Sequence, residues 1–564
     1  MTRSPHPDTR RSRETVVGLV CACALLAVAA GVYALLFNRA NVLSHSIGYN
    51  LYASERVLDG DAPYRDFHTL YPPAIFYLNA MLFRWLGVSL YTALLGVFAF
   101  KVATVGVIYL SGRQLMPRAW ALSSALGSLL WLRPNGPFKS VPMHYGALFL
   151  AATLFFLLKH EKRNKLALIF FAGASLGLVA LFKHNIGAYA LLGSLVFLAA
   201  EDRTLTYRLS LDLRSYRRVL VLLIGCAVTV LPVLAYMQAR AALAPMVRTI
   251  LFGPGEFLLN RLAVPLSPLA PAVFVIALAA GGYTAHKLRS RQSLGLAVWI
   301  VLIAAVATFV LRGNQADVNQ IIFYFPMLVL ICALIVVVFA KDAAIADRRA
   351  LLILFVISAA ALMELFPRFA REQSIAAMPF VMLVLFYLLF VLRSPIRKLM
   401  GGALQYRTAL AVIPLTFLLM EGRVFFNTYF ERDLHFKANT QIGVERGRDV
   451  YFPASTASLI DEVVSYVKQR VPVDGYAFAQ SDAGTSFLFL SNRRNISNAQ
   501  FWIGVGVTQE QRAATLERID KTQTKLIITS DDIMAAEKYI PMREYIERNF
   551  KEAARFEDIV ILER

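Results

Sequence analysis

The sequence predicts an α-helical polytopic membrane protein with about thirteen transmembrane helices, followed by a C-terminal α/β domain in water. Three observations predict this fold class: 57% of the 564 residues are hydrophobic, only 17% are charged, and the mean hydropathy is +0.55. A soluble fold of this length cannot bury so much apolar surface. We therefore expect most of the chain to lie in a lipid bilayer.

The first apolar run, residues 15–37, follows an Arg-rich N-terminus. Because the run is longer than a cleavable signal requires, we expect it to be the first spanning helix, with its N-terminus in the cytoplasm. The other runs of spanning length are 90–111, 118–132, 143–158, 166–182, 186–200, 219–238, 268–285, 294–311, 319–340, 350–366, 376–392 and 406–421. Together they define a transmembrane domain over residues 1–421.

Positive charge alternates between the connections. The basic segments 159–165, 201–218, 286–292 and 393–400 all fall on the side of the N-terminus. The positive-inside rule makes this side cytoplasmic, and an odd number of spans puts the C-terminus outside. We therefore expect a multi-pass protein of the bacterial inner membrane. Its formal net charge of +21 reflects this topology, so nucleic acid is not expected as a partner.

The C-terminal region, residues 422–564, changes from long apolar runs to alternating helix and strand patterns. The expected helices are 455–470, 508–520 and 541–550, and the expected strands are 476–480, 525–530 and 558–564. This order predicts a small extracytoplasmic three-layer α/β domain. It contains no glycine-rich phosphate-binding motif, so a nucleotide is not indicated. The four cysteines lie in apolar segments without the spacing of a metal site.

A long connection, residues 38–89, interrupts the pattern of spans. Its aromatic and apolar content predicts a folded outer loop. The stretch SIGYNLYASERVLDG is typical of a helix on the membrane surface, and a second helix should begin at Pro72 and Pro73. A smaller outer loop, 239–265, should add a short interfacial element.

The segment GDAPYRDFHTLYPPAIFYLNAMLFRWLG (60–87) resembles the first outer loop of membrane-embedded type C (GT-C) glycosyltransferases. The resemblance is to the bacterial branch related to protein O-mannosyltransferases and lipid A aminoarabinose transferases. The stretches GLVALFKHNIG (177–187) and FPRFAREQSIAAMP (366–379) and the layout of the chain support it. The resemblance implies a polyprenyl-phosphate sugar as donor and a glycan, lipid or protein outside the cytosol as acceptor.

Such a reaction requires a carboxylate that accepts the proton of the attacking hydroxyl, and cations that stabilise the leaving phosphate. No cofactor is implied, no metal ligands are indicated, and a divalent metal is optional. Members of the family usually carry the basic carboxylate early in the outer loop, but this chain has Ser46-Ile47-Gly48-Tyr49 there. Asp66 is the first candidate for the base, with Asp61 and Asp59 as the others. Alternatively, Asp66 caps a helix or pairs with Arg65, and the other two are turn residues.

Six residues are candidates for binding the substrate: Arg65, His68, Tyr71, Lys183, His184 and Arg368. Lys183 and His184 end an apolar helix at the outer face, where a cation would hold a lipid phosphate. Lys183 snorkelling to the interface is the alternative. Arg368 follows Pro367, as in the family, but Ala370 and Gln373 replace the acid and the imidazole expected after it.

Two other functions remain open at this point. A transporter or flippase of lipid-linked saccharides would normally show inverted repeats and paired broken helices, which the sequence lacks. A catalytically lapsed scaffold with the same fold would explain Ser46, Ala370 and Gln373. Lys101 lies in the middle of a predicted span and should face a cavity or a partner, because an unpaired charge there costs about 2.5–3.5 kcal/mol.

Overall fold

The structure is a computed structural model of the chain. It describes residues 37–39, 45–131, 142–201, 208–209, 213–252, 315–339, 345–365, 377–400, 439–473, 475–480, 482–498, 508–537 and 539–564, with scattered residues in 16–34 and 272–312 and at 407 and 419. The boundary expected at 421 and 422 lies outside these residues, as do most of the spans predicted at 268–285, 294–311 and 406–421.

The N-terminal part is a bundle of helices with two shorter helices in its first outer loop. The helices are α1 (His45–Leu58), α2 (Ala74–Leu86), α3 (Leu90–Leu115), α4 (Arg118–Trp131), α5 (Pro142–Arg163), α6 (Leu166–Phe182), α7 (His184–Ala199), α8 (Leu213–Ala239), α9 (Leu243–Phe252), α10 (Gln315–Phe339), α11 (Ile345–Leu362), α12 (Met378–Val391) and α13 (Arg393–Met400). A short hairpin pairs β1 (Ala200–Glu201) with β2 (Arg208–Leu209).

Among the described residues, α3, α5 and α8 are long and apolar enough to cross a membrane. Shorter apolar helices include α6, α7 and α12, and each of them matches a predicted span. Helix α12 is apolar all round, and its residues from Met378 to Leu389 are all buried. Because such a helix belongs in the centre of a bundle, the hydrophobicity of the sequence explains its position.

Helices α6 and α8 pack closely because glycines face each other at their crossing. A Cβ atom on Gly173 would lie 2.0 Å from the carbonyl oxygen of Leu222, and one on Gly225 would lie 2.1 Å from that of Phe170. Small residues at such a crossing let the two backbones approach closely, as in membrane bundles generally. Lys101 on α3 is only 5% exposed, so it faces the interior of the protein.

Contacts between loops follow the two predicted sides of the membrane. On one side, the contacts are Glu161 with Arg349 at 2.6 Å and Asp347 with Tyr387 at 2.8 Å. On the other, they are Lys183 with Glu364 at 3.0 Å, Gly60 with Arg240 at 3.3 Å and Glu55 with Arg446 at 2.6 Å. The grouping agrees with the alternation of charge, and the identity of the cytoplasmic side stays a prediction.

The first outer loop contains both predicted helices, α1 and α2. Pro73 caps the start of α2, and Gly87 ends it with a φ of 90°. Helix α1 differs from the expectation of a surface helix, because residues from Gly48 to Ser54 are all buried. It lies between α2 and the C-terminal domain, which covers the side that would otherwise face water.

The C-terminal part is an α/β domain built on a five-stranded sheet in the order β6-β5-β7-β9-β8. Strands β5 (Tyr476–Ala479), β6 (Arg494–Asn495) and β7 (Leu526–Thr529) are parallel, whereas β9 (Ile559–Glu563) and β8 (Lys551–Phe556) are antiparallel. A small hairpin pairs β3 (Thr440–Gln441) with β4 (Tyr451–Phe452). The helices are α14 (Ala454–Arg470), α15 (Asp482–Ser491), α16 (Gln509–Lys521), α17 (Asp531–Ala536) and α18 (Ile540–Asn549).

The three helices and three strands predicted for this domain are confirmed. The structure adds β3, β4, β6, β8, α15 and α17. Strand β8 has the sequence KEAARF and lies at the edge of the sheet, with most of its side chains at least partly exposed. A charged edge strand lacks the apolar alternation that identifies buried strands, and such charges protect an edge from unwanted pairing.

Candidate functional site

The turn that follows α1 is held by a cluster of charged side chains. Arg56 Nε donates to Asp61 Oδ2 at 2.6 Å, and Arg56 Nη2 donates to the carbonyl of Asp66 at 3.0 Å. The guanidinium of Arg56 also lies 5.1 Å from the centre of the Phe67 ring. Asp61 therefore contributes to the fold of the turn. Asp59 is exposed at the end of α1, where its amide donates to the carbonyl of Glu55.

Both carboxylate oxygens of Asp66 accept hydrogen bonds within the loop. Arg65 donates to Oδ1 at 2.9 Å and to Oδ2 at 2.7 Å, and the amide of Ala62 donates to Oδ2 at 2.7 Å. The hydrogen bond from Arg65 is the main cause that holds the pKa of Asp66 below its usual value. A carboxylate held in this way is a weaker base than usual. The pairing with Arg65 corresponds to the alternative raised from the sequence, and the catalytic role of Asp66 stays a prediction.

Arg65 and Arg240 link this turn to the end of α8. Arg65 Nη1 donates to the carbonyl of Arg240 at 3.0 Å, and Arg240 Nη1 donates to the carbonyl of Gly60 at 3.3 Å. These reciprocal bonds close one side of the first outer loop over the bundle. They also use part of the hydrogen-bonding capacity of Arg65, which was predicted as a substrate contact.

His68 and Tyr71 lie further along the same loop. The amide of His68 donates to the carbonyl of Asn498 in the C-terminal domain at 2.9 Å. Its Nε2 atom is buried and has no hydrogen-bond partner in the described part of the chain. Burial lowers the pKa of His68, so the ring is neutral at pH 7. The carbonyl of Tyr71 accepts a hydrogen bond from the Tyr64 hydroxyl at 2.6 Å, which fixes the ring-bearing segment of the loop.

Tyr71 lies over a buried ion pair between two helix ends. Lys183 follows α6, and its Nζ atom lies 5.8 Å from the centre of the Tyr71 ring. Glu364, in the single 3-10 turn that follows α11, places Oε1 3.0 Å from Lys183 Nζ. Burial is the largest single effect and lowers the pKa of Lys183, but the Glu364 carboxylate and Tyr71 together outweigh it, so the pKa of the ammonium is raised. Lys183 therefore stays charged beneath the outer loop.

Three polar atoms, one of Glu364 and one on each of the two residues that follow Lys183, lack hydrogen-bond partners among the described residues. They are Glu364 Oε2, His184 Nδ1 and Asn185 Oδ1, all of them buried. Buried polar atoms are nearly always hydrogen-bonded, so three together need an explanation such as water or a ligand. The structure thus brings together three of the predicted residues, Tyr71, Lys183 and His184. Arg368 lies outside the described residues.

Glu364 is the residue that sequence reasoning missed. It lies inside a predicted span, 350–366, and its side chain is 6% exposed. An acid within an apolar spanning run is expensive unless it is paired, which is the signal that could have identified it. Within the described residues, no group of three or more His, Cys, Asp or Glu side chains is arranged to hold a metal ion.

The described residues form a helical bundle with a two-helix outer loop and a C-terminal α/β domain, and comparison with solved structures shows a GT-C-like fold. The predicted fold class is confirmed to this extent, and the number of thirteen spans stays a prediction. The chain is similar in structure to the oligosaccharyltransferase of Archaeoglobus fulgidus, solved with a tethered acceptor peptide containing the NVT sequon. The TM-score is 0.50 at 13% identity, over 94% of this chain and 72% of that chain. A second structure of that enzyme, with Zn and sulfate, has a TM-score of 0.50 at 14% identity, over 94% and 71%.

ArnT from Cupriavidus metallidurans, solved with undecaprenyl phosphate, has a TM-score of 0.47 at 12% identity, over 98% of each chain. No protein-family model matches the sequence, and no curated protein matches it. Structural similarity at such low sequence identity establishes the fold alone.

Proposed function

We propose that the protein is a glycosyltransferase of the inner membrane. It moves a sugar from a polyprenyl-phosphate donor to an acceptor outside the cytosol, which is a glycan, a lipid or a protein. The observation that carries the proposal is the buried Lys183–Glu364 pair beneath Tyr71, with partnerless polar atoms beside it. A cation and a carboxylate in one buried site are the two groups that this reaction requires.

The reaction exchanges one bond at the anomeric carbon of the sugar. The oxygen of the acceptor hydroxyl forms a bond to this carbon, and the bond from the carbon to the phosphate oxygen breaks. The electron pair leaves with the phosphate, whose charge Lys183 stabilises. The hydroxyl proton passes to a carboxylate, for which Asp66 and Glu364 are the main candidates, with Asp61 and Asp59 behind them.

The fold supports a lipid donor. The archaeal enzyme of the same fold is named an oligosaccharyltransferase, so this architecture accommodates sugar transfer in at least one case. Lys183 lies at the end of an apolar helix, where the phosphate of a lipid whose tail is in the bilayer would be located. We propose His184, His68 and Tyr71 as further substrate contacts, and Arg368 as a second phosphate contact.

Native mass spectrometry of the protein, purified in mild detergent from its own cells, tests the donor class. We expect a co-purified polyprenyl-phosphate lipid that is lost from Lys183→Met. The matched control is Lys521→Met, because Lys521 is an exposed lysine of the C-terminal domain. Absence of a polyprenyl-phosphate lipid from the wild-type protein would contradict the proposal.

The loop acids are tested by amide substitutions in nanodiscs supplied with donor and acceptor lipids from the same cells. Asp66→Asn should lower the transfer rate by about 10²–10⁴ if Asp66 is the base. Asp59→Asn and Asp61→Asn test the other two loop candidates in the same way. The matched control is Glu517→Gln, because Glu517 is an exposed acid of the C-terminal domain. Transfer at the wild-type rate in all three loop variants would exclude the loop acids as the base.

A further inference from the structure

We infer that Glu364 is the base of the proposed reaction. Its ion pair with Lys183 keeps it inactive until the donor phosphate draws Lys183 away. The inference rests on the proposed function and names a catalytic group for it. Its starting point is the uneven use of the two carboxylate oxygens: Oε1 lies 3.0 Å from Lys183 Nζ, whereas Oε2 is buried without a partner in the described residues.

The environment of Glu364 differs from that of the loop acids. Asp66 and Asp61 are held by arginines at distances of 2.6–2.9 Å, and their side chains are 28% and 38% exposed. Glu364 is 6% exposed, and its cation is an ammonium that contacts one oxygen. A carboxylate in such a dry site, with one oxygen available, can take a proton from a hydroxyl placed against that oxygen.

Lys183 has two competing anionic partners in the proposed reaction. The donor is a phosphate diester with one negative charge, like the carboxylate, and it gains a second charge as the bond to the sugar breaks. A donor that enters beneath Tyr71 therefore competes with Glu364 for Lys183 Nζ, and the leaving phosphate draws the ammonium further from Glu364. Two anions that share one cation also repel each other. Glu364 then loses its counter-charge in a buried site, which makes it a better proton acceptor at the moment when the donor is in place.

The proton and the charge balance in this scheme. The acceptor hydroxyl gives its proton to Glu364 Oε2 as its oxygen bonds to the anomeric carbon. The polyprenyl phosphate leaves with the electron pair of the broken bond, and Lys183 compensates its charge. When the phosphate departs, Lys183 pairs again with Glu364, which releases the proton to water.

Glu364→Gln should strengthen the binding of the lipid phosphate and slow the transfer of the sugar. Removal of the competing carboxylate should tighten the binding of a polyprenyl monophosphate by about tenfold or more, because a charge a few ångström away has at least that effect. The same substitution should slow sugar transfer by about 10²–10⁴. The probes are polyprenyl monophosphate and, as the uncharged control, the corresponding polyprenol, which should bind equally to both proteins.

Each outcome is decisive. Unchanged or weaker binding of the monophosphate would overturn the displacement of Lys183, and tighter binding with a wild-type transfer rate would overturn the role as base. If neither protein binds the monophosphate, the proposed function itself fails. If Glu364→Gln does not fold, Glu364→Asp tests the role as base, because its shorter side chain keeps the negative charge and moves the carboxylate back from the 3.0 Å contact. It should transfer the sugar more slowly, and transfer at the wild-type rate would overturn that role.

Discussion

Substitution of Arg446 by alanine should release the first outer loop from the C-terminal domain. Arg446 Nη2 lies 2.6 Å from Glu55 on α1, and Arg446 also donates to the carbonyl of Phe489 at 2.8 Å and to Asn492 at 2.7 Å. The side chains of Arg446 and Glu55 are only 16% and 14% exposed. Burial already raises the pKa of Glu55, so the loss of Arg446 would leave a poorly solvated carboxylate without its cation.

The magnitude follows from this burial. Removal of one partner of a buried ion pair costs about 3–5 kcal/mol, and we take the lower end because both side chains touch solvent. About 3 kcal/mol corresponds to a roughly 100-fold larger population of the undocked state. Hydrogen exchange of the α1 amides, measured in nanodiscs, should accelerate by about this factor.

Arg543→Ala in α18 is the matched control. Arg543 pairs with Glu547 on the same helix, and both side chains are 53% exposed. Such a pair contributes about 0.3–0.5 kcal/mol, so its loss should leave exchange in α1 unchanged. Equal exchange rates of α1 in Arg446→Ala and Arg543→Ala would refute the argument that this ion pair holds the loop.

Three further expectations concern the same loop. Gly48→Ala should weaken the docking of α1 on the C-terminal domain, because a Cβ atom there would lie 2.4 Å from the backbone nitrogen of Ser486. Hydrogen exchange of the α1 amides measures this docking, and protection equal to that of the wild-type protein would contradict the expectation. Because burial lowers the pKa of His68, the unfolded loop binds a proton that the folded loop does not, so docking is at full strength above about pH 6.5 and weakens as pH falls below it. Exchange between pH 7 and 5.5 should show this change in the wild-type protein and not in His68→Gln. Arg65→Met should raise the proton affinity of Asp66, and NMR titration of the carboxyl would detect a shift toward the ordinary value.

The sequence predicted the elements whose physical signal is local. Apolar runs predicted spanning helices such as α3, α5 and α8, Pro72 and Pro73 predicted the start of α2, and short strand patterns predicted β5, β7 and β9. These features depend on the periodicity of neighbouring residues and on backbone chemistry. The residues missed in the C-terminal domain, such as those of β8, owe their conformation to pairing with a distant strand, which local patterns do not report.

The candidate site was predictable only in part, because its geometry joins distant segments. The motif around Asp66 identified the loop, and the charge at a helix end identified Lys183. The contact with Glu364 depends on the packing of α11 near α7 and on the position of the 3-10 turn, which no spacing in the sequence encodes. The docking of α1 under the C-terminal domain has the same origin, since the backbone amide of Asn495 donates to the Tyr52 hydroxyl only through the tertiary fold.

Two ion pairs that join helices among the described residues of the bundle distinguish a structural role from a functional one. Arg349 and Glu161 form a two-pronged contact at 2.6 and 3.0 Å, in which both oxygens of the carboxylate accept a hydrogen bond. The carboxylate of Glu364 is buried more deeply than that of Glu161, yet one of its oxygens has no hydrogen-bond partner among the described residues.

Desolvation of two charges is costly, and apolar residues of similar volume often stabilise a protein as well or better. A pair retained for stability alone would use both oxygens, as Glu161 does. The incomplete pair at Glu364 is better explained by a partner that arrives during the reaction. The hydroxyl of the acceptor is such a partner, because its O–H group can donate a hydrogen bond to Oε2. The replacement of both residues by Met and Leu therefore separates the two roles, because it should preserve or raise thermal stability while sugar transfer is lost.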